Sequence, residues 1–184
     1  MKPDPDGLVA VVAEKPSVAR DLAAVLGATR KGDGCLEGNG YVVTWAIGHL
    51  VALPEPHEIR PEWKSWRREH LPILPQVWPL VVTDRVKKRF AAVKKVITDP
   101  GVTDGVCATD AGREDELIFR QLYEVAGCTR PVKRLWISSL TPDAIRDGLA
   151  RLRPARDFTL GPATPQSNRS TRRRGEPRRR SSSA

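Results

Sequence analysis

The stretch that decides the fold is Leu8–Gly27, LVAVVAEKPSVARDLAAVLG. Its first six residues are an unbroken apolar run, short enough for a strand. A run with no polar alternation suits a strand covered on both faces, as in a parallel sheet. EKPS follows at once, and then Val18, Leu22, Val25 and Leu26 recur at helical spacing up to Gly27, a helix stop. Strand followed directly by helix opens an α/β unit.

The same alternation continues outward. Cys35–Gly38 and Tyr41–Ile47 flank Asn39-Gly40, the pair a tight hairpin turn prefers because both central positions need positive φ. Trp78–Thr83 predicts a strand and Asp84–Thr98 a helix with Val86, Phe90, Val93 and Ile97 on one face. Gly105–Thr109 predicts a strand, Glu114–Ala126 a helix and Val132–Ile137 another strand. A last helix has Thr141 as N-cap, Pro142 in its first turn, and Ile145, Leu149 and Leu152 on its apolar face. The pattern predicts one α/β domain over residues 7–154, a mostly parallel sheet flanked by helices. Residues 48–76 interrupt it with Pro54, Pro56, Pro61, Pro72 and Pro75 and little periodicity, a long excursion of the functional kind.

From 155 to 184 the apolar pattern stops, and an Arg/Ser-rich segment predicts a disordered tail. The chain of 184 residues carries a formal charge of +9, of which the tail holds +6. The basic excess therefore says little about what the folded part binds. No apolar run approaches the roughly 20 residues of a membrane span, and MKPDPDG is not a secretory signal, so a cytoplasmic location is expected. Cys35, Cys107 and Cys128 form no CxxC pair, which argues against a zinc ribbon or a disulfide framework and for buried reduced thiols.

Two acidic positions follow predicted parallel strands, where open α/β sheets place their ligands. Glu14 ends the first strand; Asp110 and Glu114 follow the Gly105–Thr109 strand. Three converging carboxylates would make a hard, oxygen-rich site suited to Mg²⁺ with water or phosphate completing its shell. The alternative is that Glu14 and Glu114 simply favour helix N-termini.

EKPSVARDLAAVLG, AIGHLVALPEP, EWKSW with LPILP, ATDAGREDELIFRQLYEVAG and VKRLWISSLTPDAI, in that order, resemble the N-terminal Toprim domain of type IA DNA topoisomerases, the bacterial topoisomerase III branch above all. Other Toprim proteins share the strand–Glu and acidic motifs but are not expected to share GHLVAL or RLWISSLT. The resemblance implies a Toprim fold and a Mg²⁺-dependent site for breaking and resealing one DNA strand. It implies Glu14 as the catalytic glutamate that assists proton transfer, and Lys15 as the lysine on the scissile phosphate. Glu14, Asp110 and Glu114 would hold the metal; Arg113 and His49 would join Lys15 in binding DNA phosphate.

Two positions depart from the family pattern. Gly112 replaces the middle acid of the family's acidic motif, which weakens metal binding. Asp115 stands where the family usually has glycine. The expectation there is crowding and repulsion of DNA, the alternative a carboxylate restored to the site.

In the family the nucleophile is a tyrosine from a separate domain. Neither Tyr41, in the predicted hairpin, nor Tyr123, on the helix after the acidic motif, has that context. The change at residues 155–158 reads as a lost frame, so a truncated or frameshifted product is expected, inactive alone and completed at most by a separately encoded tyrosine domain. Other downstream frames would then encode the family's continuation. A stand-alone Mg²⁺-dependent nuclease and a non-enzymatic basic DNA-binding fragment are the alternatives. His57 and His70 lack metal-ligand spacing. Trp63 and Trp66 with Lys64, Arg67 and Arg68 form either a lid over the sheet or, less favoured, a single-strand stacking patch.

Overall fold

A computed structural model describes residues 7–110 and 112–154 of the chain. β1 (Leu8–Ala13) runs into α1 (Pro16–Leu26), which carries proline in its first turn and ends on Gly27 at φ 72°. β2 (Arg30–Lys31), β3 (Cys35–Gly38) and β4 (Tyr41–Trp45) follow. Asn39 (φ 49°) and Gly40 (φ 78°) both take the positive φ that the hairpin between β3 and β4 demands. β5 (Val51–Ala52), α2 (Pro56–Ile59) and two 3₁₀ turns, Pro61–Lys64 and Arg68–His70, occupy the proline-rich excursion. Then come β6 (Val81–Val82), α3 (Lys87–Ile97), β7 (Val102–Ala108), α4 (Arg113–Val125), β8 (Val132–Arg134), α5 (Pro142–Ala150) and β9 (Arg153–Pro154).

Seven strands form the main sheet in the order β2-β3-β4-β1-β7-β8-β9. The four central strands are parallel, while β2, β3 and β9 add antiparallel edges. β1 sits in the middle, which explains its unbroken apolar sequence. Val9, Val11 and Ala13 pack on one face against Leu22 and Leu26 of α1 and Ile145 of α5. Ala10 and Val12 pack on the other, with Val93 and Ile97 of α3 and Phe119 and Leu122 of α4. Leu22 and Ile145 are fully buried; burial of each contributes roughly 1.5–3 kcal/mol.

The register pairs Ala13 with both Trp45 and Ala108. The ends of β1, β4 and β7 are therefore level, and Glu14 leaves the sheet beside Thr109 and Asp110. That is the geometric basis of the site.

Some elements differ from expectation. The strand predicted over Trp78–Thr83 shrinks to Val81–Val82, pairing antiparallel with Val51–Ala52 in a separate ribbon. Pro79 supplies no N–H, and Trp78 is 54 % exposed, so neither extends a covered ladder. The strand predicted over Val132–Ile137 ends at Arg134, and the helix expected from Asp84 begins with a 3₁₀ turn over Asp84–Val86. The short edge strands β2 and β9, two residues each, carry no sequence signal. Thr141 caps α5 as expected, its Oγ1 accepting from the Ala144 N–H. The tail expectation for 155–184 lies outside the described residues.

Candidate active site

Glu14 and Lys15 occupy the turn from β1 to α1, and Asp110 the turn from β7 to α4. Lys15 Nζ lies 3.6 Å from Glu14 Oε1 and 3.4 Å from Asp110 Oδ2, bridging the two turns. Lys15 and Asp110 are both more than half exposed, so this ion pairing contributes little stability and leaves the ammonium able to turn to another anion. The neighbouring Glu14 and Asp110 raise the Lys15 pKa, which keeps it charged.

Glu14 is mostly buried, and its Oε2 receives no hydrogen bond among the described residues. Burial first, and then the adjacent Asp115 carboxyl, push its pKa above the usual carboxylate value; Lys15 only partly opposes this. Asp115 comes from the first turn of α4, and its Oδ2 fills the space a Cβ at position 112 would occupy. Gly112 thus admits the Asp115 side chain.

Of the expected site residues, the structure brings together Glu14, Lys15 and Asp110. Glu114 is exposed and pairs instead with His49, whose Nε2 lies 3.0 Å from Glu114 Oε1. Arg113 is exposed at the start of α4. Beneath this surface lies a buried polar layer that sequence reasoning missed. Arg134, at the end of β8, donates to Thr109 Oγ1 (2.7 Å), Cys107 Sγ (2.6 Å) and the Asp110 carbonyl, and pairs with Glu116 Oε2 at 3.2 Å. Two signals were present: an arginine inside a predicted strand, and Glu116 on the stripe that carries Phe119. Tyr41 is buried in β4, and Tyr123 stacks on Phe119 with its hydroxyl donating to the Arg130 carbonyl.

Among the described residues, no three Asp, Glu, His or Cys side chains lie close enough to hold a metal between them. The donor set nevertheless fits Mg²⁺, which needs only one or two carboxylates and keeps most of its water. All candidate ligands are oxygens, and Glu14 Oε2 is a buried acceptor lacking a donor.

The Glu14 shift yields a pH prediction. A carboxyl with a raised folded pKa favours folding when protonated. Its contribution is therefore fully present below the unfolded value near 4.5 and lost as pH rises through the raised value. Glu14→Gln is expected to match the parent in acid and to be more stable at neutral pH, by about 1 kcal/mol. Urea titrations at pH 4 and pH 8 check this; equal differences at both would refute the assignment.

The Toprim domain profile matches residues 9–140. The chain belongs to the Toprim domain family. It is 52 % identical over 149 residues to DNA topoisomerase 3 of Shouchella clausii, covering 81 % of this chain and 20 % of that protein. To DNA topoisomerase 3 of Bacillus subtilis it is 51 % identical over 148 residues, again 80 % of this chain and 20 % of the relative. It spans about a fifth of the length of the relatives it matches. Full-length topoisomerase I from Thermotoga maritima shares the fold, with TM-score 0.51 and 20 % identity over 79 % of this chain and 21 % of that one. No described helix is long and apolar enough to cross a membrane.

Proposed function

We propose that this Toprim domain supplies the acid–base, phosphate-binding and Mg²⁺-binding half of a type IA topoisomerase site acting on DNA in the cytoplasm. The observation that carries the reading is the cluster of Glu14, Lys15 and Asp110 at level ends of neighbouring parallel strands, with a buried Glu14 oxygen left unsatisfied. Glu14 and Asp110 would hold the cation, with water or phosphate oxygens completing its shell, and when bound it supplies positive charge to neutralise phosphate oxygens.

Lys15 turns from its carboxylate partners onto the scissile phosphate, meeting the charge that develops there. Glu14, its pKa raised by burial and by Asp115, gives a proton to the leaving 3′ oxygen and takes it back on resealing. Arg113 and His49 flank the same edge and steer the DNA backbone. A cavity of about 370 Å³ beside Asp110, floored by Val18, Leu22 and Leu135, has room for a sugar or base next to that phosphate. The nucleophile comes from a separate tyrosine domain, since Tyr41 and Tyr123 are held in the core and at the α4–β8 edge.

The test exchanges the matching fifth of Bacillus subtilis DNA topoisomerase 3 for residues 1–154 of this chain. Mg²⁺-dependent relaxation of negatively supercoiled plasmid is expected from the chimera, and none from this chain alone. Glu14→Ala in the chimera is expected to lower the rate about 10²–10⁴-fold, the scale of a lost general acid. Mg²⁺-dependent nicking by this chain alone would instead identify a nuclease that uses water.

A further inference from the structure

The turn between β7 and α4 carries Asp110 and leads into the first turn of α4, which carries Arg113, Glu114 and Asp115. A guanidinium from the next strand ties this acidic segment to β7. Arg134 is 1 % exposed and stands opposite Cys107 in the parallel β7–β8 register. From there its two terminal nitrogens reach the Asp110 carbonyl at the start of the loop and Thr109 Oγ1 and Glu116 at its two ends. The Thr109 hydroxyl in turn donates to the Asp115 carbonyl at 3.2 Å. One planar fork therefore ties the end of β7 to the first turn of α4.

Stability alone is a poor account of this arrangement. Arg134 Nε is buried with no hydrogen-bond partner among the described residues, and a buried ion pair commonly stabilises no more than apolar residues of the same size. A rigid, multidentate donor does have a geometric use: it fixes several acceptors relative to one another, which a lysine ammonium does not.

We infer that Arg134 is a positioning residue: its guanidinium fixes the start of α4 against the end of β7, so that the Asp110 carboxylate faces Lys15 and that of Asp115 faces Glu14. The inference rests on the metal- and phosphate-binding reading of that edge. Thr109 is part of the same device, as the relay from Arg134 to the Asp115 carbonyl.

Hydrogen exchange, thermal unfolding and Mn²⁺ binding by electron paramagnetic resonance test it on the full chain. Arg134→Lys keeps a charge for Glu116 but loses the fork, whereas Arg134→Gln loses both. Lysine is expected to recover most of the unfolding temperature that glutamine loses. It is not expected to recover the loop: amides at Glu116 and Leu117 should exchange at least tenfold faster, with those of Val11 and Val12 in β1 unchanged, and Mn²⁺ affinity should fall about tenfold. Thr109→Val, a milder change, should give the same local pattern at smaller amplitude. Loop exchange unchanged in Arg134→Lys, or acceleration equal at β1 and the loop in both variants, overturns the inference. Absence of Mn²⁺ binding by the unmodified chain overturns the metal reading alone, since the exchange pattern still decides the role of Arg134.

Discussion

Glu116→Ala is expected to cost about 3–5 kcal/mol of folding stability, the scale of a buried ion pair broken from one side. A domain of ordinary stability has only about 5–15 kcal/mol in hand, so the variant should be near its unfolding threshold at 37 °C. The reason is what it leaves behind. Glu116 is 7 % exposed and accepts from Arg120 Nε at 2.8 Å while facing Arg134 at 3.2 Å. Arg120 is partly solvated and can turn to water, but Arg134 is enclosed and cannot. Its charge would remain in the interior without the Glu116 carboxylate and with Nε already unsatisfied. Glu116→Leu with Arg134→Met removes both charges together and should recover most of the loss in urea unfolding. A single variant costing under about 1 kcal/mol would mean that the interior around Arg134 is wetter than the structure shows.

That buried layer marks the limit of what was legible in the sequence. The strand–helix units were legible because β1 and its neighbours are covered on both faces, so apolar runs and helical periodicity appear without interruption. Gly27, Asn39-Gly40 and Thr141 were legible because each satisfies a backbone requirement that few residues meet. Glu14 and Asp110 were legible as neighbours because strand ends in such sheets are level once the register is set, whereas Lys15 came only from the resemblance. The short ribbon of β5 and β6 was not, since two-residue strands carry no periodicity. Nor were the partners of the site residues. The sequence groups Glu114 with Glu14 and Asp110, but on the helix Glu114 faces His49 while Asp115 lies against Glu14. A one-residue rotation of 100° is invisible to a motif read as a linear string.

Gly112→Ala is expected to weaken Mg²⁺ binding about tenfold, and to do so only while Asp115 is present. Gly112 has φ −96° and ψ 159°, ordinary extended backbone that alanine adopts without strain. Its requirement for glycine is therefore one of space, and the atom that takes the space is Asp115 Oδ2. A methyl group at 112 must displace that carboxylate from beside Glu14, lowering the negative charge that draws the cation to the site. Asp115→Ala should weaken Mg²⁺ binding to a similar degree, and adding Gly112→Ala to it should change nothing further. Calorimetric Mg²⁺ titration of the four proteins closes this cycle. Strictly additive losses would show that Gly112 acts independently of Asp115 and overturn the account. The predicted non-additivity would make the glycine and the aspartate two halves of one substitution, with the carboxylate supplied from the helix because the loop position has been vacated for it.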